Sequence, residues 1–315
     1  MIVAHSPVCP ICEDTLRPQI FNQPSTITAV ASGAVLISFS SIFVKLSQVG
    51  PGASGFYRML FGTLALVLTA VALGQRPRGD RISGLWAALA GLVFAADLTV
   101  WHRSILSIGP GLATVLANFQ VFVMIGAGSL FLREQITHRT LASVILALFG
   151  LFMLVGPGWN QLTDQWRTGV SLGLATALFY AVYILLLRRL QANRDNAGQI
   201  WNMAQVAAWT ALFMGLEVLL SDETFLIPNS DSLWCLVAYG VLCQALGWLL
   251  ISRSLPRVTL SVAGITILLQ PALAFIWDIL FFARPTSLLD LIGATITLTA
   301  IYIGVTRQKM ETDSG

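Results

Sequence analysis

Apolar residues run along this chain in long blocks separated by short polar or Pro/Gly-rich joints, and the blocks recur from one end to the other. Residues 104–132 and 140–163, for instance, contain no Asp, Glu, Lys or Arg. A helix needs about 20 predominantly apolar residues to cross the hydrocarbon core of a bilayer, and nearly every block meets or approaches that length. The pattern predicts ten helices, over 27–46, 53–73, 83–103, 111–132, 139–156, 168–187, 200–220, 232–252, 258–282 and 288–306. The expected fold class is an all-α integral membrane protein of ten transmembrane helices. Residues 1–26 and 307–315 are left as polar tails; the first is Pro-interrupted and lacks the apolar core and small-residue cleavage site of a signal peptide.

Composition agrees with the pattern. Of 315 residues, 56% are hydrophobic and 10% charged, against roughly 25% charged in ordinary soluble domains. The net charge of +3 is explained by where the charges fall rather than by a nucleic-acid partner. Lys and Arg gather on the cytoplasmic side of membrane proteins. With the N-terminus inside, the inner segments hold Arg17, Arg76, Arg78, Arg81, Arg133, Arg139, Arg188, Arg189, Arg194, Arg253, Arg257, Arg307 and Lys309, which is 13 of the 18. Lys45, Arg58, Arg103, Arg167 and Arg284 remain on the outer side, where the 221–231 loop carries Asp222, Glu223 and Asp231 without a positive residue. The expected location is the bacterial inner (plasma) membrane, multi-pass, with both termini cytoplasmic and the lipid bilayer as partner. Monomer and homodimer are equally compatible with the sequence.

Shifting the chain by 150 residues lays Arg103-Ser104 on Arg253-Ser254, Ala113 on Ala263, Gln120 on Gln270, Leu130-Phe131 on Leu280-Phe281, Leu141 on Leu291 and Leu148 on Leu298. No gap is needed across spans three to five against spans eight to ten. Nearer the start of each half the register is 140, with Gly33 on Gly173 and Phe39 on Phe179. Residues 27–156 and 168–306 therefore read as two repeats. Five spans is an odd number, so the second repeat lies upside down relative to the first. Many secondary transporters are built this way, with substrate near the midplane at the repeat interface.

These features resemble the drug/metabolite transporter superfamily, in its ten-span EamA-type exporters, over residues 27–306. The resemblance is carried by the duplicated five-span unit, by Arg58 in the short span after Pro51-Gly52, by Gln270-Pro271 within span nine, and by Leu132-Arg133-Glu134 ending span four. Two positions depart from the family pattern: Val121 stands where the first repeat often has Pro, and Arg284 where the second often has Glu. Within the family the chain most resembles the aromatic amino-acid exporters. The resemblance implies transport of a small organic molecule.

A polar side chain in lipid is costly and normally faces a cavity or a partner helix. Near the midplane stand Ser38, Ser40 and Ser41 on span one, Asp97 on span three, Asn118 and Gln120 on span four, Tyr180 and Tyr183 on span six, Gln244 on span eight and Gln270 on span nine. Asp97 with Trp101, and Gln244 with Trp248, are i, i+4 pairs on one helix face, each setting a hydrogen-bonding group beside a flat apolar one. The candidate substrate-binding residues are Ser41, Asp97, Trp101, Asn118, Gln120, Tyr180, Gln244, Trp248 and Gln270, expected to line a cavity between spans one, three, four, six, eight and nine. Plainer roles compete. Trp101 suits an interfacial belt, the glutamines suit interhelical hydrogen bonds worth about 0.6 kcal/mol, and the serines suit helix packing. Asp97 is protonated, paired with His102 or a cation such as Lys45, or part of a substrate or proton pathway, which intramembrane carboxylates usually mark. Lys45 and Arg58 read as snorkelling anchors, and Glu217 and Asp278 as solvated acids near span ends. Gly126-Ala127-Gly128 and Gly169 to Gly173 permit close helix approach.

The expected function is a secondary transporter exporting amino acids or related small metabolites, with aromatic or bulky apolar side chains, by alternating access. A multidrug exporter of cationic compounds and a non-transporting scaffold or receptor are the competing readings. His5, His102 and His138 are too few for a catalytic metal cluster. Cys9 and Cys12 form a Cys-x-x-Cys, but Cys235 and Cys243 lie eight apart within a span and do not complete a zinc site. No Walker motif or filter loop is present, so the expectation is neither an enzyme nor an ATP-driven pump, with no metal and no cofactor.

Overall fold

The computed structural model describes residues 24–75, 81–108, 113, 116–132, 136–155, 163–192, 196–282 and 288–312. The expectations on Cys9 and Cys12, Arg133-Glu134 and Arg284 lie outside the described residues, as do the side chains of Ser41 and Asp278. Among the described residues every regular element is a helix: α1 (Pro24–Ser38), α2 (Ser40–Ser47), α3 (Pro51–Ala72), α4 (Arg81–Ile108), α5 (Gln120–Leu132), α6 (His138–Val155), α7 (Asp164–Gln191), α8 (Asn196–Leu220), α9 (Ser230–Ala238), a π-helix (Tyr239–Gly247), α10 (Trp248–Ser254), α11 (Leu260–Ile267), α12 (Leu269–Phe282) and α13 (Leu288–Thr312). Seven runs are long and apolar enough to cross a membrane, while Gln120–Phe131, His138–Gly150 and Leu291–Ala300 are shorter apolar helices. The shorter ones fall in expected spans four, five and ten. Leu68, Leu85, Phe131 and Leu220 are 67%, 72%, 79% and 89% exposed, an apolar surface that suits lipid rather than water. The chain is a multi-pass membrane protein.

Local chemistry sets where helices begin and break. Pro51 occupies the first turn of α3, where its missing N–H costs nothing. Thr163 and Asn229 cap α7 and α9 by accepting from Trp166 N at 3.3 Å and Ser232 N at 2.8 Å. Asp164 opens α7 and Arg188 and Arg189 close it, matching the helix dipole, so this helix outruns the expected 168–187. The expected tail from Arg307 is helical to Thr312; Arg, Gln, Lys, Met and Glu are good helix formers. Span one is interrupted at Phe39, beside Ser38 Oγ, which donates to Val35 O at 2.6 Å and accepts from Trp277 Nε1 at 2.7 Å. Span four turns at Asn118-Phe119 before α5, a side chain that competes for backbone bonds. Between α11 and α12 the chain turns at Leu268, because Pro271 has no N–H to offer the Ile267 carbonyl.

Packing partners repeat between halves. α4 lies along α7, as the π-helix and α10 lie along α1; α8 packs on α4, as the π-helix packs on α3; α5 meets α7, as α11 and α12 meet α1. Three further pairs, α3 with α8, α5 with α11 and α6 with α13, join the halves directly. Exchanging residues 27–156 with 168–306 carries each pair of the first set into its stated counterpart and each of the last three into itself. The core holds Met59, Phe94, Tyr183, Met214 and Trp248. Gly169 and Gly173 lie against Ile108 and Leu116, whereas Gly126 faces open space.

One of the close backbone approaches near the core is between the π-helix and α3. A Cβ at Gly240 would stand 2.8 Å from Gly62 N and 2.9 Å from Arg58 O, both backbone atoms that cannot swing away. Gly240→Ala is therefore expected to destabilise by about 1–3 kcal/mol, as overpacking does, read as a lowered melting temperature in detergent. An unchanged melting temperature would mean that the two backbones are not in contact.

Candidate functional site

A cavity of about 190 Å³ lies between these helices. Its wall includes Ser38 and Ser40 from α1 and α2, Arg58 from α3, Phe94, Asp97 and Trp101 from α4, Asn118 and Gln120 around the span-four turn, Thr176 and Tyr180 from α7, Tyr239 and Trp248 from the π-helix and α10, and Gln270 from α12. All six expected spans contribute, and α3 adds a seventh wall. Asp97, Trp101, Asn118, Gln120, Tyr180, Trp248 and Gln270 are brought together there. Gln244 stands behind the wall, holding Arg58.

Arg58 corrects the anchor reading. It lies about 10 Å along α3 from Pro51 at 1.5 Å per residue, yet it turns inward and is 5% exposed. A buried guanidinium must find acceptors. Its Nε donates to Gln244 Oε1 at 3.2 Å and its Nη1 to Tyr239 Oη at 3.1 Å. The guanidinium also sits 4.9 Å from the Tyr239 ring centroid and 5.8 Å from that of Phe94, within cation–π range. Tyr239 and Gln244 are five residues apart, which on an α-helix would turn them away from each other. The i→i+5 winding of the π-helix stacks them on one face. The π-helix is thus what lets one segment serve two nitrogens of one guanidinium.

Aromatic rings make the apolar side of the site. Phe94 and Tyr183 stack at 4.1 Å with planes 2° apart. Trp248 meets Phe94, Tyr183 and Tyr180 edge-on, at 5.5, 4.9 and 5.9 Å. Edge-to-face contact is the favoured aromatic geometry, and it fixes the orientation of the indole. Outside the cavity lining, Phe39 stacks on Trp277 at 4.6 Å, beside the Ser38 that Trp277 bonds.

Several polar atoms on the wall have no protein partner. Asp97 Oδ1, Gln120 Oε1, Trp248 Nε1 and Gln270 Nε2 are buried without a hydrogen bond, and such atoms in a native fold call for an explanation. Here they share one cavity. The cation acting electrostatically on Asp97 is Arg58, not Lys45, which is exposed. His102 packs beside Trp101 at 5.3 Å and does not reach the cavity wall. Glu217, expected to be solvated, joins α8 to α4 by accepting from Thr99 Oγ1 at 2.6 Å and pairing with Arg103 at 3.9 Å. The site residues that sequence reasoning passed over are Arg58, Phe94 and Tyr239. A charge within an otherwise charge-free span was the available signal for the first.

Comparison with known proteins gives a consistent picture. The model of the EamA-like transporter family matches residues 24–156 and again 167–306. A protein of Archaeoglobus fulgidus described as an uncharacterized transporter is 26% identical over 277 residues, covering 87% of this chain and 94% of its own. An uncharacterized transporter of Haemophilus influenzae is 22% identical, covering 90% and 94%. One crystal structure shares the fold with a TM-score of 0.77 at 16% identity, over 90% of this chain and 98% of the other.

The aromatic wall yields a paired test. Tyr183 is fully buried and its hydroxyl has no partner, so Tyr183→Phe removes only an orphaned group and is expected to leave the melting temperature unchanged or raised. Phe94→Ala removes a stacked ring and is expected to cost about 3–5 kcal/mol. Equal losses in the two variants would show that the hydroxyl is engaged after all.

Proposed function

Because the chain belongs to the EamA-like transporter family, we propose that it is a secondary transporter that exports amino acids or related small metabolites, those with aromatic or bulky apolar side chains, across the bacterial inner membrane by alternating access. The observation that carries this reading is the cavity, in which buried, unpartnered polar atoms face aromatic rings and both halves of the chain supply the wall. Amides at Asn118, Gln120 and Gln270 are suited to the polar backbone of such a solute, and Trp101, Tyr180 and Trp248 to its side chain. Ten spans in two inverted halves provide the machinery. The double family match and the exchange symmetry of the helix pairs support that arrangement. A site shared between halves is sensitive to their relative tilt, which is the motion alternating access requires.

Volume and charge favour a small solute over a bulky cationic drug. About 190 Å³ is below the roughly 300–1,000 Å³ of pockets that take drug-sized ligands. A guanidinium in the wall also repels a lone cation. Counterflow in proteoliposomes with labelled phenylalanine, tryptophan, threonine and a cationic drug tests the assignment: the aromatic amino acids are expected to exchange fastest, and movement of the drug alone would make the chain a multidrug carrier. Asp97→Asn is expected to slow amino-acid exchange, and an unchanged rate would reduce Asp97 to a packing residue.

Topology follows from the charge distribution, with both termini in the cytoplasm and the acidic 221–231 loop outside. Cysteines introduced singly into that loop are expected to react with an impermeant thiol reagent in intact cells. Labelling only after the membrane is opened would reverse the orientation.

A further inference from the structure

Resting on that reading, we propose that Arg58 and Asp97 are the two poles of a zwitterion site, the guanidinium taking the carboxylate of an α-amino acid and the Asp97 carboxylate taking its ammonium group. Both side chains are 5% exposed, and both line the same cavity. Among the described residues they are the only charged members of its wall. Arg58 spends its bonds on uncharged acceptors, a phenol and an amide. Asp97 Oδ1 makes no hydrogen bond. A buried charge is strongly favoured by a close partner of opposite sign, and each of these lacks one in direct contact. An α-amino acid brings both partners on one rigid framework and adds no net charge to the site.

The same logic orders related solutes. An amine with the same ring satisfies Asp97 and leaves the guanidinium facing a cation; a carboxylic acid does the reverse. Each loses one charge-assisted hydrogen bond and gains a repulsion. The aromatic wall of Phe94, Tyr180 and Trp248 contributes equally to all three, so discrimination among them rests on the two charged residues.

Wild-type protein in proteoliposomes, exchanging labelled tryptophan, provides the test, with unlabelled tryptophan, tryptamine and indole-3-propionate as competitors. Tryptophan is expected to compete at least about tenfold better than either one-charge analogue, the scale of one lost charged hydrogen bond. Arg58→Gln is expected to narrow the preference over tryptamine while keeping that over indole-3-propionate, and Asp97→Asn to do the opposite. If Arg58→Gln does not fold, the analogue series on the wild type decides alone. Tryptophan exchange that both analogues inhibit as well as tryptophan does would overturn the zwitterion site while leaving amino-acid export standing. Absence of tryptophan and phenylalanine exchange in the wild type would overturn the export reading itself, and this inference with it.

Discussion

A guanidinium inside a membrane protein has few places to go, and the placement of Arg58 constrains much of the molecule around it. Burying the charge requires acceptors within reach, and these come from Tyr239 and Gln244. An α-helix cannot turn both toward one point, so the segment winds as a π-helix. Bringing that segment close enough requires backbone contact with α3, which Gly240 and Gly62 allow by having no side chain. The chain of dependence therefore runs from two glycines through a change of helical winding to one charge, and from that charge to the chemistry of the cavity. Phe94 closes it, covering the guanidinium on one side and stacking on Tyr183 on the other.

The two halves share a plan without sharing their chemistry. Gln120 and Gln270 are matched by the repeat register, and both reach the cavity. The charges are not matched. In the same register Asp97 falls on Gly247, and α8, the partner in packing of α3, carries no basic residue between 196 and 220. Both charged residues of the cavity wall thus belong to the first half, whereas Tyr180, Tyr239 and Trp248 come from the second. A duplicated scaffold supplies a symmetric container, and substitution at unmatched positions makes its contents polar in one direction. A ligand that touches the charges of one half and the rings of the other bridges the two bodies, so its binding energy depends on their relative position. That dependence is what allows a ligand to bias one arrangement over another.

Much of this was legible in the sequence because bilayers impose simple rules. Apolar length located the helices, and the scarcity of polar residues inside them singled out Asp97, Asn118, Gln120 and Gln270, all of which meet in the cavity. Arg58 was misread for a physical reason: at its depth a long side chain can either snorkel outward or fold inward, and only a tertiary acceptor decides between the two. The acceptors were hidden because Tyr239 and Gln244 share a face only under π winding, which no local pattern announces. Gln244 was grouped with Trp248 on α-helical spacing, and the change of winding separates them into a residue behind the wall and one upon it. Helix ends were misplaced wherever a capping group outran the apolar block, as Thr163 and Asp164 do at α7.

Most of the interruptions in the described helices follow one rule. In a bilayer, backbone groups freed from a helix are tolerated only where they are buried in protein or line a cavity. Among the described residues four irregularities within the spans lie at Phe39, at Asn118-Phe119, along Tyr239–Gly247 and at Leu268, besides the 3₁₀ turn Leu255–Arg257 that ends its run. These four border the same space, since Ser38 and Ser40 flank the first, Asn118 and Gln120 the second, Tyr239 and Trp248 the third, and Ile267 and Gln270 the fourth, and all eight line the cavity. Ser38, Asn118 and Pro271 are the residue types that weaken a helix locally, by competing for its hydrogen bonds or by lacking a donor. The sequence therefore breaks its helices where polar groups are wanted, and keeps them regular where they face lipid. Helix defects and binding chemistry coincide because the same loss of apolar, hydrogen-bonded regularity produces both.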